Sequence, residues 1–204
     1  MLPSNQKYLV FDTETEGLNL FSSKTWQLSW IVCQGDKVLE THDEFIAHKE
    51  LNIPKVVKKL TGFNWDIYNS KSRSLDAVWN KFEKYLFDSQ YIIVGQNLLG
   101  FDVYMISILQ RLLGQQPDYS YLSRIYDTRA LGKAYREELQ KPKRDLLSWQ
   151  YKIINDRSLK AKASQKQLLK FFDIDFDEEK LHDALYDIQM CYKVFLKLKK
   201  HMDL

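Results

Sequence analysis

An apolar run, Tyr8-Leu9-Val10-Phe11, leads straight into Asp12-Thr13-Glu14-Thr15-Glu16-Gly17-Leu18. Four apolar residues of this kind read as a buried strand, and a buried strand needs a reason to end in two carboxylates. Side chains alternate along an extended chain, so residues two apart share a face. Asp12 and Glu14 therefore stand side by side. Two anions that close repel, and at least one resists ionising. A divalent cation between them removes the conflict. A strand closing on a polar turn, with Asp12 capping and Glu14 solvated, fits this stretch equally well. The choice rests on the rest of the chain.

Taken in order, Gly17 and Asn19 mark a turn. Trp26 to Cys33 reads as a second strand, Gly35-Asp36 as a tight hairpin, and Lys37 to Phe45 as a third strand. Pro54 suits the first turn of a short helix with apolar positions Val56, Val57 and Leu60, stopped by Gly62. Ser74 caps the next helix, whose apolar positions are Leu75, Val78, Trp79, Phe82 and Leu86. Tyr91 to Gly95 reads as a buried central strand. The loop from Gln96 to Gly100 then opens a helix from Phe101 to about Leu113. Ile125 to Thr128 is a short strand feeding a helix that runs to Leu139. Residues 141–163 read as a charged loop with a helical piece at Leu146 to Ile153. Helices from Ser164 to Phe172 and from Asp183 to His201 close the chain. A strand meander followed by helix–strand alternation implies an α/β fold with a mixed sheet, and nothing marks a domain boundary within residues 1–204.

Composition narrows the class. With 204 residues, 45% hydrophobic and 28% charged, the chain has room for a core of ordinary globular type. No run of about 18 apolar residues exists, so no membrane span is expected. Residues Met1 to Lys7 lack a signal-peptide apolar region, and two cysteines, Cys33 and Cys191, are too few for a disulfide framework. A reduced, cytoplasmic protein is expected. Net charge is +3, with basic clusters at Lys55/Lys58/Lys59, Lys141/Lys143/Arg144, Arg157 to Lys166 and Lys197 to Lys200. Basic clusters around an acidic site suit a polyanionic substrate, although each cluster alone is also an ordinary solvated face.

Two further carboxylates matter. Asp102 opens a helix in register with Ile106, Leu109 and Leu113. Alone, it reads best as a helix-start cap. Asp187 borders the apolar stripe Ala184, Ile188, Cys191, Phe195 and Leu198. A carboxylate there needs a partner, and no arginine is near in sequence. His182 lies five residues earlier, about 140° off one helical face. It converges with Asp187 only if it precedes the helix, with Asp183 as the N-cap.

Together these positions resemble the DEDD superfamily of 3′–5′ exonucleases, in its His subclass. Asp12-Thr13-Glu14 matches the first motif, and Asn97 to Phe101-Asp102 matches the second. His182-Asp183-Ala184-Leu185-Tyr186-Asp187 matches the third. A tyrosine subclass would place Tyr where this chain has Asp183. Ile53 to Gly62 and Tyr126-Asp127-Thr128 also resemble family segments, whereas residues 140–163 resemble them least.

The resemblance implies an RNase H-like fold with a mixed five-stranded sheet, an antiparallel N-terminal meander and flanking helices. It implies two divalent ions, Mg²⁺ with Mn²⁺ able to substitute, held by Asp12, Glu14, Asp102 and Asp187. His182 would be the general base. Thr13, Thr15, Gly17 and Leu18 would hold the 3′-terminal nucleotide, with Asn97 and Phe101 lining the same pocket. Many family members carry Thr where this chain has Glu16, an extra anion beside that pocket. Trp26 and Trp30 read as core residues, although strand aromatics can stack on bases. The expected activity releases nucleoside 5′-monophosphates from single-stranded DNA 3′ ends, in proofreading or repair. Any polymerase partner would be a separate chain. An exoribonuclease is the alternative. A non-catalytic nucleic-acid binding module would predict erosion of one of the five site positions, and none is eroded.

Overall fold

A computed structural model describes residues 2–181 and 183–204. The opening meander forms as the apolar runs require: β1 (Lys7–Thr15), β2 (Thr25–Gln34) and β3 (Lys37–Phe45). Gly35 turns β2 into β3 with φ of +60°, and a Cβ there would lie 2.8 Å from the Ser4 carbonyl, so glycine is required. The parallel strands β4 (Tyr91–Gly95) and β5 (Ile125–Asp127) complete one sheet in the order β3-β2-β1-β4-β5. β1 is antiparallel to β2 and parallel to β4. It is thus the central strand, and the mixed sheet is the expected one.

The helices are α1 (Lys55–Thr61), α2 (Trp65–Lys71), α3 (Leu75–Leu86), α4 (Asp102–Leu112), α5 (Thr128–Arg136), α6 (Leu146–Asn155), α7 (Gln165–Phe171) and α8 (Ala184–His201). Ser74 caps α3 and Asp183 caps α8, as their positions in the sequence suggest. α2 is an addition. Its signal is Asn64, whose side chain accepts from the amides of Asp66 and Ile67. The apolar residues of α1 behave differently from expectation, because none is buried and Val56 and Leu60 are exposed.

Alternation along β1 splits the core. Leu9 and Phe11 join Trp30, α3 (Trp79, Phe82) and α4 (Val103, Ile106, Leu109) on one face. Tyr8 and Val10 join α7 (Leu168, Leu169) and α8 (Ile188, Cys191, Phe195, Leu198) on the other. Trp26 and Trp30 are core residues: Trp26 packs edge-on to Phe63, and Trp30 stacks on His42. Among the described residues no helix is long and apolar enough to cross a membrane.

The segment least readable in sequence has a structural task. Gln150, fully buried on α6, accepts from the Asp127 amide at 2.7 Å and donates to the Ile125 carbonyl at 2.9 Å. It satisfies the free edge of β5 as a sixth strand would. An apolar residue of equal length would leave two buried backbone groups unpaired, each costing about 1–3 kcal/mol. Gln150→Met is therefore expected to lower the unfolding free energy by about 2–4 kcal/mol in urea titration. An unchanged midpoint would mean that the β5 edge does not depend on it.

Candidate active site

The site begins where a strand pair ends. β4 stays in register with β1 only as far as Val10↔Val94. Beyond that point the amide of Thr13 has no strand to bond. Asp102 takes it: its Oδ1 accepts from the Thr13 amide at 3.0 Å and from the Thr13 hydroxyl at 2.7 Å. This corrects the cap reading. Phe101 occupies the N-cap position of α4 without a side-chain cap, and Asp102 reaches across to β1 instead. Asp102 is 2% exposed. Thr13 is buried as well, so its polar groups brace β1 to α4.

The loop that delivers Asp102 is held by Asp127, a residue outside the sequence-derived candidates. Asp127 caps α5 through the amides of Arg129 and Ala130 and also accepts from those of Asn97 and Leu99. It is completely buried. Burial raises its pKa and the four amides oppose that rise. Its signal in the sequence was its place between a strand and a helix. Asn97 adopts φ of +65°. A Cβ at Gly100 would approach the Asn97 Oδ1 to 2.4 Å, so a larger residue there would displace the Asn97 side chain.

Asp12 and Glu14 share the face of Tyr8 and Val10, toward α8. Asp187 lies in the first turn of α8, where the Asp183 cap starts the helix by accepting from the Tyr186 amide at 2.8 Å. Asp12 and Asp187 line one cleft of about 190 Å³ with Gln96, Gln165 and Cys191. Gln165 Nε2 donates to Asp187 Oδ1 at 3.0 Å. His182 lies outside the described residues.

The structure thus gathers the four expected carboxylates, and they feel one another. Burial drives the Asp12 carboxyl well above its ordinary range, followed by the charges of Asp102, Glu14 and Asp187. Glu14 is pushed up to about 8 by burial, then by Asp187 and Asp102. Asp102 reaches about 7 through burial, while its bonds to Thr13 pull the other way. Hard carboxylate oxygens whose charges repel are the donors a divalent cation favours. Among the described residues no three acidic, imidazole or thiol groups are already closed around a single point. The donor chemistry fits divalent ions, and the cage is open.

The expected nucleotide contacts fall beside this cluster. Thr15 donates its hydroxyl to the Gly17 carbonyl at 2.6 Å and fixes the turn after β1. Leu18 projects from that turn, 84% exposed, followed by Phe21 at 88%. Phe101 is half-buried at the start of α4. Glu16 does not point a free charge at the pocket. Its Oε1 accepts from the Lys24 amide and its Oε2 from the Asn52 amide, stitching two loops together.

Carboxylates from β1, α4 and α8 thus meet at one end of a mixed five-stranded sheet, an α/β arrangement of RNase H-like fold. The profile of the exonuclease family (RNase_T) matches residues 9–195, and the chain belongs to that family, within the DEDD superfamily of 3′–5′ exonucleases. The chain is 25% identical over 198 residues to the PolC-type DNA polymerase III of Ureaplasma parvum serovar 3, covering 97% of this chain and 12% of the polymerase. Among solved structures, E. coli exonuclease I bound to a dA16 oligonucleotide aligns with a TM-score of 0.75 at 15% identity, over 97% of this chain and 42% of that one. The zinc-bound E. coli exonuclease I–single-stranded DNA complex gives 0.74 at 16% identity, over 97% and 42%. The chain therefore spans less than half the length of these relatives.

Carboxyls with raised pKa hold protons in the folded state that the unfolded chain has released, so stability falls as pH climbs. The loss should extend up to the folded values of about 7 for Asp102 and about 8 for Glu14. The melting temperature of the metal-free protein is expected to drop between pH 5.5 and 8.5, and Mg²⁺ at pH 8.5 to restore it. Glu14→Gln should shrink both effects. Scanning calorimetry checks this, and a flat profile without any Mg²⁺ response would contradict a coupled cluster.

Proposed function

We propose that this chain hydrolyses single-stranded DNA from its 3′ end, releasing nucleoside 5′-monophosphates in proofreading or repair, with two divalent ions as cofactors. The observation that carries the proposal is the meeting of Asp12 and Glu14 from β1, Asp102 from α4 and Asp187 from α8 at one site, with Asp12 and Asp187 lining one cleft. Buried charge of one sign is costly, and a structural role does not require it.

Asp12, Glu14 and Asp187 would hold one Mg²⁺ or Mn²⁺ ion, and Asp12 with Asp102 the second. Bound ions of this kind stabilise charge on the attacking and leaving oxygens of a phosphodiester. The chain's own residues do the rest. Thr13 fixes the Asp102 carboxylate, and Gln165 orients that of Asp187. His182 takes the proton of the attacking water, since an imidazole with a reference pKa near 6.5 suits a base at neutral pH. The Thr15–Gly17 turn presents main-chain groups to the terminal nucleotide, with Leu18 and Phe101 against its base.

DNA is favoured over RNA because the similar proteins are a DNA polymerase and an exonuclease solved with DNA oligonucleotides. A DNA polymerase is the partner that this likeness suggests.

A time course on end-labelled single-stranded DNA, duplex DNA and RNA with Mg²⁺ tests polarity and sugar preference together. Faster trimming of RNA would transfer the proposal to an exoribonuclease. Asp12→Ala should lower turnover by about a thousandfold or more while the protein stays folded. His182→Ala should lower kcat by about a hundredfold or more, with Mg²⁺ binding by calorimetry unchanged. Near-normal turnover in the first variant would remove the hydrolytic site, and in the second the general base.

A further inference from the structure

The carboxylate cleft continues past Gln96 and Gln165. Both residues also line a second cleft of about 530 Å³, which includes Asn97, Arg129 and Lys162. The two clefts carry opposite charge. Three basic residues and no carboxylate line the second. One of the three is already committed: the Lys133 ammonium donates to the carbonyls of Ile153 at 3.0 Å and Asp156 at 2.7 Å.

Arg129 is placed differently. It lies one residue inside α5, exposed, and its Nη1 donates to the Asn97 Oδ1 at 3.0 Å. Asn97 is itself fixed by its backbone bond to Asp127. The guanidinium is therefore oriented by a neutral acceptor, and among the described residues its charge and its other N–H groups meet no carboxylate. A fixed planar fork of this kind matches two oxygens of a phosphate.

We infer that Arg129, with Lys162 on the same cleft, binds the phosphodiester backbone immediately upstream of the scissile phosphate. The inference rests on the nuclease reading of the carboxylate site. The direction follows from the topology. The turn after Glu14 leads toward β2, on one side of β1, whereas α5 follows β5, beyond β4 on the other side. The cleft on the β2 side, also about 530 Å³, has Glu16 and Glu50 among its lining residues, whereas the cleft at α5 has no carboxylate, so a strand whose last nucleotide occupies the turn is drawn across the carboxylates toward α5. Nothing in the carboxylate cluster itself attracts a polyanion, so a neighbouring acid-free cleft is where the chain supplies that attraction.

Two substrates separate this role from a structural one. A 5′-labelled oligothymidylate has upstream phosphates. The p-nitrophenyl ester of thymidine 5′-monophosphate has the terminal nucleoside and one phosphodiester but no upstream phosphate. Arg129→Gln is expected to raise KM for the oligonucleotide about tenfold and to leave kcat/KM for the ester within twofold. Lys162→Gln should act in the same direction more weakly, and Arg129→Lys should recover part of the loss. Anisotropy titrations of the labelled oligonucleotide with Ca²⁺ in place of Mg²⁺ should show about tenfold weaker binding by Arg129→Gln. The slope of log affinity against log salt should fall by about 0.7, the value for one phosphate contact on a single strand. Equal losses on both substrates would overturn the inference, because Arg129 would then act by holding the Asn97 loop. Unchanged oligonucleotide binding with an unchanged salt slope would overturn it too. If the wild-type protein hydrolyses neither substrate, the nuclease reading fails, and the titrations alone decide Arg129.

Discussion

Central strand β1 runs past the end of its parallel partner, and the rest of the site follows from that mismatch. β4 leaves the register after Val94 because Gly95 and the loop behind it turn away. Three residues further along β1, the Thr13 amide would be an unpaired group in the core, which is costly. Asp102 resolves this by acting as a substitute strand. In doing so it brings a carboxylate from the α4 side of the sheet to the two that β1 directs toward α8. Asp187 then closes the set from the opposite layer. No single element could bring these charges together, since residues on one strand or helix diverge by the period of that element.

Buried carboxylates in this chain divide into two kinds by how many donors they receive. Asp127 is fully buried and takes four backbone amides, a strain-free arrangement that holds the loop to Asp102 and the start of α5. Asp102 is as buried but receives two donors from a single threonine, and it faces other carboxylates. Asp12 and Glu14 have neighbours of their own sign, and repulsion adds to burial in raising both. A well-satisfied buried acid is scaffold. A group of acids that repel one another carries a cost that a bound cation would relieve, and that cost is spread over a sheet with apolar cores on both faces.

The sequence made much of this legible. Strand β1, the meander, β4 and the long helices have strong apolar periods, and periodicity survives into tertiary structure because the core selects it. Asp12 with Glu14 and the placement of Asp187 beside an apolar stripe are local patterns, readable for the same reason. Asp102 taken alone reads as a cap because the donor it serves, Thr13, is 89 residues away in the chain. Glu16 was opaque for a similar reason, since one of its amide partners, Asn52, is 36 residues away. Asp127 and Gln150 were missed as partners because each serves backbone groups, which leave no trace in residue type. α1 went the other way: its apolar positions have helical spacing, yet they face solvent, and spacing alone does not report burial.

The two flanks of β1 are built for different tasks. On the β2 side the loops are tied together beside a cleft that contains carboxylates. Thr15 bonds Gly17, and Glu16 ties Lys24 to Asn52 with both carboxylate oxygens. Both loops are thereby anchored beside the exposed Leu18 and Phe21. On the β4 side the chain leaves an open basic cleft whose arginine is aimed by a neutral amide. Under the proposed function this asymmetry explains why an end is needed. A turn braced in this way would fix where a terminal nucleotide sits, and the cleft beside it carries the charges of Glu16 and Glu50, which would repel a continuing phosphate backbone. An open cleft imposes no such limit, and phosphate contacts carry no sequence information. Under that proposal, a braced turn with acidic neighbours on one side and a basic cleft on the other would let the four carboxylates act at a terminus and accept any strand that leads to it.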